Sequence, residues 1–233
     1  MKTYILTFVA ILYATISLAQ TTIRGRVVDA ISGNGLIGAS VYLEDFNEGS
    51  FRVENITFYM SNITLNNTSI SKNVKDVHLF RLDEPNTMNL EVTAPNGNYE
   101  SVSFGLGLTP ELNNTEPSDY PTDHPLGLNQ NTYWPMLASS YIFVKIEGKM
   151  DTSQTSSFYP LTYHLSHEDL FRALDFPKSI SLDENNTATL QFNIDLSKLF
   201  TDVDLSQELA HERTSSPLAN QLITNFSNAI ELE

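Results

Sequence analysis

Cysteine is absent from this 233-residue chain. That excludes a disulfide framework, a lipid carried on a cysteine at a processing site, and any metal centre built on thiolate. A metal would have to take histidine, methionine, carboxylate or backbone oxygen. Basic residues are also scarce: 13 Lys and Arg against 28 Asp and Glu leave a net charge of −15. Phosphate binding needs a basic face, so the charge argues against nucleic acid as a partner. The acidity suits a cation ligand, and it suits an ordinary solvated surface equally well. No run beyond the first twenty residues is apolar and long enough to span a membrane. Catalytic signatures are missing too. There is no nucleophile elbow, no Gly-rich phosphate loop and no His-Glu-x-x-His helix. Carboxylates are plentiful, but nothing singles out a pair for glycoside hydrolysis. The chain is expected not to be an enzyme.

The first residues, MKTYILTFVAILYATISLAQ, carry a recognisable pattern. Lys2 gives a short positive start, residues 4–16 form an apolar stretch, and Ser17-Leu18-Ala19 places small residues where a signal peptidase reads. Cleavage after Ala19 is expected, giving a periplasmic or secreted product with no membrane insertion after cleavage. Residues 20–233 then suffice for one sizeable domain.

Period-two alternation dominates the remainder. Residues 51–65, 77–82, 88–92, 99–108, 140–146 and 188–196 all read as strands with one face on a core. Turn signals separate them, among them Pro95-Asn96-Gly97-Asn98, Gly148 and Asp183-Glu184-Asn185-Asn186. Two helices are expected. One is capped by Ser166 over 167–174, with Glu168 and Asp169 in its first turn. The other opens at Ser216-Pro217, and Leu218, Leu222 and Phe226 recur every four residues along it. The fold class is therefore all-β: a β-sandwich-like domain with long loops and one or two short helices. Residues 109–136 show little periodicity and are rich in Pro, Asn and Asp. A loop of that length in a compact domain is usually functional or disordered, and this one carries His124 and ends near the only tryptophan, Trp134.

Two family resemblances meet in the chain. Residues 22–45 (TIRGRVVDAISGNGLIGASVYLED) resemble the opening of a carboxypeptidase-regulatory-like, transthyretin-like domain, of which only about the first third is present. The second resemblance covers roughly 51–232. Ile56-Thr57-Phe58-Tyr59-Met60-Ser61-Asn62-Ile63 comes first, then Gly97-Asn98-Tyr99 running on to Phe104-Gly105-Leu106-Gly107. Asn131-Thr132-Tyr133-Trp134 and the run Tyr141 to Gly148 follow, then Tyr163-His164, residues 192–200 and Asn225-Phe226. These pieces, in this order, resemble the MbnP-like family. The resulting division is a signal peptide at 1–19, a truncated carboxypeptidase-regulatory-like segment at 20–48 and an MbnP-like β-sandwich domain at 49–233.

The second resemblance implies a periplasmic or cell-surface copper-binding protein. In some members a partner haem enzyme oxidises a tryptophan to kynurenine, which joins histidines at the copper. Trp134 is the matching position here. Met136 stands where a second tryptophan is common, and the terminal His-x-His of many relatives is missing. Imidazole suits copper in either oxidation state and thioether prefers copper(I). The expected ligand set is His124 and His164, with Trp134 and Met136 or His167 completing the shell. The bland alternative for each is a surface or satisfied core histidine, a packed indole and a gap-filling methionine. His78 and His211 are expected to be structural. The alternative for the whole chain is a non-catalytic cell-surface interaction module that binds no metal.

Overall fold

The computed structural model describes residues 8–9, 16–17, 26–27, 41–46, 49–135, 140–151, 158–184, 187–203, 210–212 and 216–233. Most of the expected signal peptide and of the 20–48 segment lies outside these residues, as does Met136.

One strand organises the fold. After β1 (Val41–Phe46), β2 runs for 18 residues, Gly49–Asn66. Around it come β3 (Ser71–Arg81), β4 (Gly97–Leu106), β5 (Tyr133–Trp134), β6 (Ser140–Tyr141), β7 (Val144–Asp151), β8 (Phe158–Leu165), β9 (Arg172–Leu182), β10 (Phe192–Ile194), β11 (Ala210–Glu212) and β12 (Ile230–Leu232). The main sheet has eight strands, in the order β9-β4-β2-β7-β8-β11, with β1 and β3 also paired to β2. On one edge β2 meets β7 along its first half and β4 along its second, and on the other edge it meets β1 and then β3. It is thus shared by two half-sheets, and its pairings shift register between Ile63 and Thr64, next to Asn62 at φ 51°. Strands that pass between packed layers commonly do so through such bulges.

Alternation sorts the side chains of β2 onto two faces. Ile56, Phe58 and Met60 face a core that the helix α2, Pro217–Ala229, covers with Leu222, Ile223 and Phe226. Phe58 stacks on Phe80 at 4.9 Å and meets Phe226 at 5.3 Å. The helix forms as its sequence directs: the Ser216 side chain accepts from the Ala219 N–H at 3.0 Å, and Pro217 occupies the first turn. Among the described residues no helix is long and apolar enough to cross a membrane.

Two sequence expectations change. The helix expected over 167–174 is a three-residue 3-10 turn, Glu168–Leu170, followed directly by β9. In β9, Leu174, Phe176, Ile180 and Leu182 alternate with exposed Ala173, Asp175 and Ser181, and the strand pairs antiparallel with β4. Pairing with an available edge outweighs a good N-terminal charge pattern. Residues 88–92 bury Met88, Leu90 and Val92 alternately, as a strand would, yet follow the 3-10 turn Pro85–Met88 without joining a described ladder.

Candidate metal centre

Cross-strand register builds a polar row on the other face of the sheet. Arg81 of β3 is opposite Thr57 of β2, Thr57 is opposite Lys145 of β7, and Lys145 is opposite His164 of β8. Directly opposed residues share a face, so these four side chains stand side by side. One step along, Asn55, Glu147 and Thr162 form a second row. Glu212 of β11 occupies the register position next to His164, and His211 the position next to Tyr163.

The long 109–135 segment is laid over this face and tied to it. It contains the single helical turn α1 (Pro110–Asn113) and two 3-10 turns. Arg81 donates to the carbonyl of Gln130 at 3.0 Å. The Tyr59 hydroxyl lies 2.8 Å from the Pro125 carbonyl and 2.6 Å from Thr132 Oγ1, and that of Tyr141 donates to the Leu126 carbonyl at 3.0 Å. Asn113 Oδ1 accepts from the Tyr141 N–H and the Ser140 hydroxyl, both at 3.1 Å. Irregular backbone can be buried only if its polar groups find partners, and these side chains provide them. The segment ends in β5, paired with β6, which brings Trp134 and His164 together in a T-shaped contact with ring centroids 5.5 Å apart and planes at 72°.

His164 is the focus of the site. Its side chain is 12% exposed, and Nε2 lies 2.9 Å from Oε1 of Glu147. The same carboxylate oxygen lies 3.3 Å from Lys145 Nζ. A carboxylate only accepts, so Nε2 carries the proton, and in a neutral imidazole Nδ1 is then a bare lone pair. That Nδ1 is buried and has no partner among the described residues. The hydrogen bond from His164 is the main reason the Glu147 carboxyl is held down at about 2, against burial, with the Lys145 ammonium assisting. Asn55, opposite Glu147 in the ladder, has an Oδ1 that is likewise buried and unpartnered.

The other expected ligands are arranged differently. His124 stacks on Tyr120 at 4.4 Å, its Nδ1 accepts from the Leu126 N–H at 3.1 Å, and it makes no hydrogen bond or ring contact with His164. Burial lowers its pKa, with Lys75 contributing. His167 is exposed and turned to its own loop, with Nδ1 3.2 Å from Asp169 Oδ2. His78 is half-buried on the helix-covered face, its Nε2 2.7 Å from the Thr87 carbonyl. The structure therefore brings Trp134 to His164 and leaves His124 and His167 in separate surroundings. Among the described residues, no group of three or more His, Asp or Glu converges as a metal cage.

The His164 ring nonetheless suits a metal. A ligating imidazole normally donates its second N–H to a carboxylate, which fixes the tautomer and raises ligand basicity. Glu147 supplies that carboxylate. Its sequence neighbourhood shows only a charge pair with Lys145; its bond to His164 runs diagonally between strands and could not be read without the register.

The fold and site together define a β-sandwich protein with a histidine–carboxylate pair held under a tryptophan. The chain belongs to the MbnP family, whose model matches residues 27–218, a span that includes His124, Trp134, Glu147 and His164. Its fold is similar to the solved structure of MbnP from Methylosinus trichosporium, with a TM-score of 0.51 and 14% identity over 91% of this chain and 96% of that one. Among curated proteins, none matches the chain in sequence.

Proposed function

We propose that this chain is an exported, non-catalytic copper-binding protein of the bacterial envelope, serving capture, storage or handover of the ion. The observation that carries the reading is the His164 ring, with its Nδ1 buried and unpartnered among the described residues, its Nε2 on Glu147, and Trp134 in T-shaped contact with it. Copper accepts imidazole nitrogen readily in both oxidation states. His164 is the first ligand in this reading. Trp134 stands where an oxidised indole would join the shell, the oxidation being the work of a partner haem enzyme. Met136, His124 and His167 complete the set of candidates.

The test is metal analysis of the mature protein after copper exposure and desalting, with an intact mass on the same sample. About one copper held per chain is expected, lost in His164→Ala. A mass gain matching oxidation of tryptophan to kynurenine would put Trp134 at the site. Unchanged stoichiometry and affinity in His164→Ala would remove the ligand assignment.

A second reading, a cell-surface interaction module without metal, draws on one observation: the Lys145 ammonium at 3.3 Å already neutralises the carboxylate that supports His164. It expects no copper retained, an unmodified mass and an unaltered fold.

A further inference from the structure

We infer that Glu147 is a positioning residue that fixes His164 as the Nε2–H tautomer, so that the atom offered to copper is Nδ1. The inference rests on the copper reading above and adds the donor atom and the residue that selects it. Three observations on neighbouring strands carry it. First, Nε2 of His164 has, among the described residues, one hydrogen-bond partner, Glu147 Oε1 at 2.9 Å, and this partner can only accept. Second, Nδ1 is buried with no partner among the described residues, although a buried ring nitrogen ordinarily finds one. Third, the carboxylate is itself anchored. Lys145 Nζ holds the same oxygen at 3.3 Å, and Lys145 is directly opposite His164 in the β7–β8 ladder.

Geometry makes this arrangement rigid. Glu147 pairs with Thr162 and therefore lies diagonally from His164, two residues along the same face. A diagonal pair is within reach of long side chains. The two strands fix both backbones, and Trp134 packs T-shaped against the ring with centroids 5.5 Å apart. The imidazole cannot exchange its nitrogens without breaking its bond to Glu147 and leaving that carboxylate with one partner fewer. In the neutral ring, Nδ1 is therefore presented as a lone pair before any metal arrives.

The tautomer is read in metal-free protein by nitrogen-15 NMR of the histidine side chains, at a pH where the imidazole is neutral. The wild-type chain is expected to show His164 as a single Nε2–H form. In Glu147→Ala the resonance is expected to become a mixture of tautomers, and copper affinity to fall about 10–100-fold, the usual cost of losing such a support. Glu147→Gln keeps the shape and removes the charge. It is expected to fall between the two, which guards against a folding defect in the alanine variant; a far-ultraviolet circular dichroism spectrum of each checks the fold. An Nδ1–H form in the wild-type chain, or an unchanged tautomer and affinity in Glu147→Ala, overturns the inference while leaving copper binding intact. A wild-type chain that retains no copper overturns the underlying reading and the donor-atom assignment with it, even if the tautomer is as stated.

Discussion

The two faces of β2 are covered in different ways. On one, Phe226 of α2 meets Phe58, which stacks on Phe80, and two polar side chains that enter, His78 and Asn225, have partners. His78 gives its Nε2 hydrogen to the Thr87 carbonyl, and Asn225 donates to the carbonyls of Leu199 and Thr201 at 3.0 and 2.8 Å. On the other, an irregular segment is held down by the hydroxyls of Tyr59 and Tyr141 and the amide of Asn113. Buried atoms without partners among the described residues stand there: Asn55 Oδ1, Ser61 Oγ and His164 Nδ1. Each such atom costs stability unless something binds it, which native folds tolerate chiefly where function needs it. The helix-covered face supplies the stability that lets the loop-covered face remain incompletely satisfied.

The largest test of this contrast is Phe226→Ala. Removing a fully buried aromatic ring should destabilise the protein by about 3–5 kcal/mol in urea unfolding. His164→Ala, on the opposite face, should cost well under half of that. Equal losses at the two positions would end the contrast.

Acid should act next, and through the helix-covered face. Burial pushes the His78 ring down to about 4, the Thr87 hydrogen bond opposing. The folded protein thus holds this ring neutral, while the unfolded chain takes up a proton below its ordinary value of about 6.5. The stabilisation is complete above about 6.5 and is lost as pH falls towards 4, by roughly 2–3 kcal/mol over that range. Urea midpoints measured between pH 7 and 4 should trace this limb, and His78→Gln should flatten it. A limb of the same size in that variant would assign it elsewhere.

The smallest effect should come from the tie that pins the loop. Tyr59→Phe removes a hydroxyl shared by the Pro125 carbonyl and Thr132 Oγ1, at a cost of about 1–2 kcal/mol. Hydrogen exchange should quicken over residues 124–132 with α2 unaffected. Faster exchange in the helix instead would show that the two faces do not open separately.

Much of this was legible in the chain. Alternation in 51–65, 99–108 and 140–146 identifies the strands, because a period of two needs only local sequence. Ser216, Pro217 and the four-residue recurrence place α2, since capping and helix sidedness are local too. Without any hydrogen-bond ladder to predict, the 109–136 segment could still be marked as unusual by its length alone. Trp134 and His164 were singled out by resemblance, and their meeting was not derivable from spacing.

Tertiary structure decided the rest. Residues 172–182 became a strand because β4 offered an edge, a fact that lies some seventy residues away in the chain. Alternation says that Glu147 and Lys145 share a face of β7, but it is silent on which strand lies beside them and in what register. The pairing of Lys145 with His164 sets that register, and a slip of one residue would turn His164 to the core and leave Glu147 with Lys145 alone. Pairing partners and registers are chosen by contacts distant in sequence, so the composition of the site was written in the chain while its geometry came only from the fold.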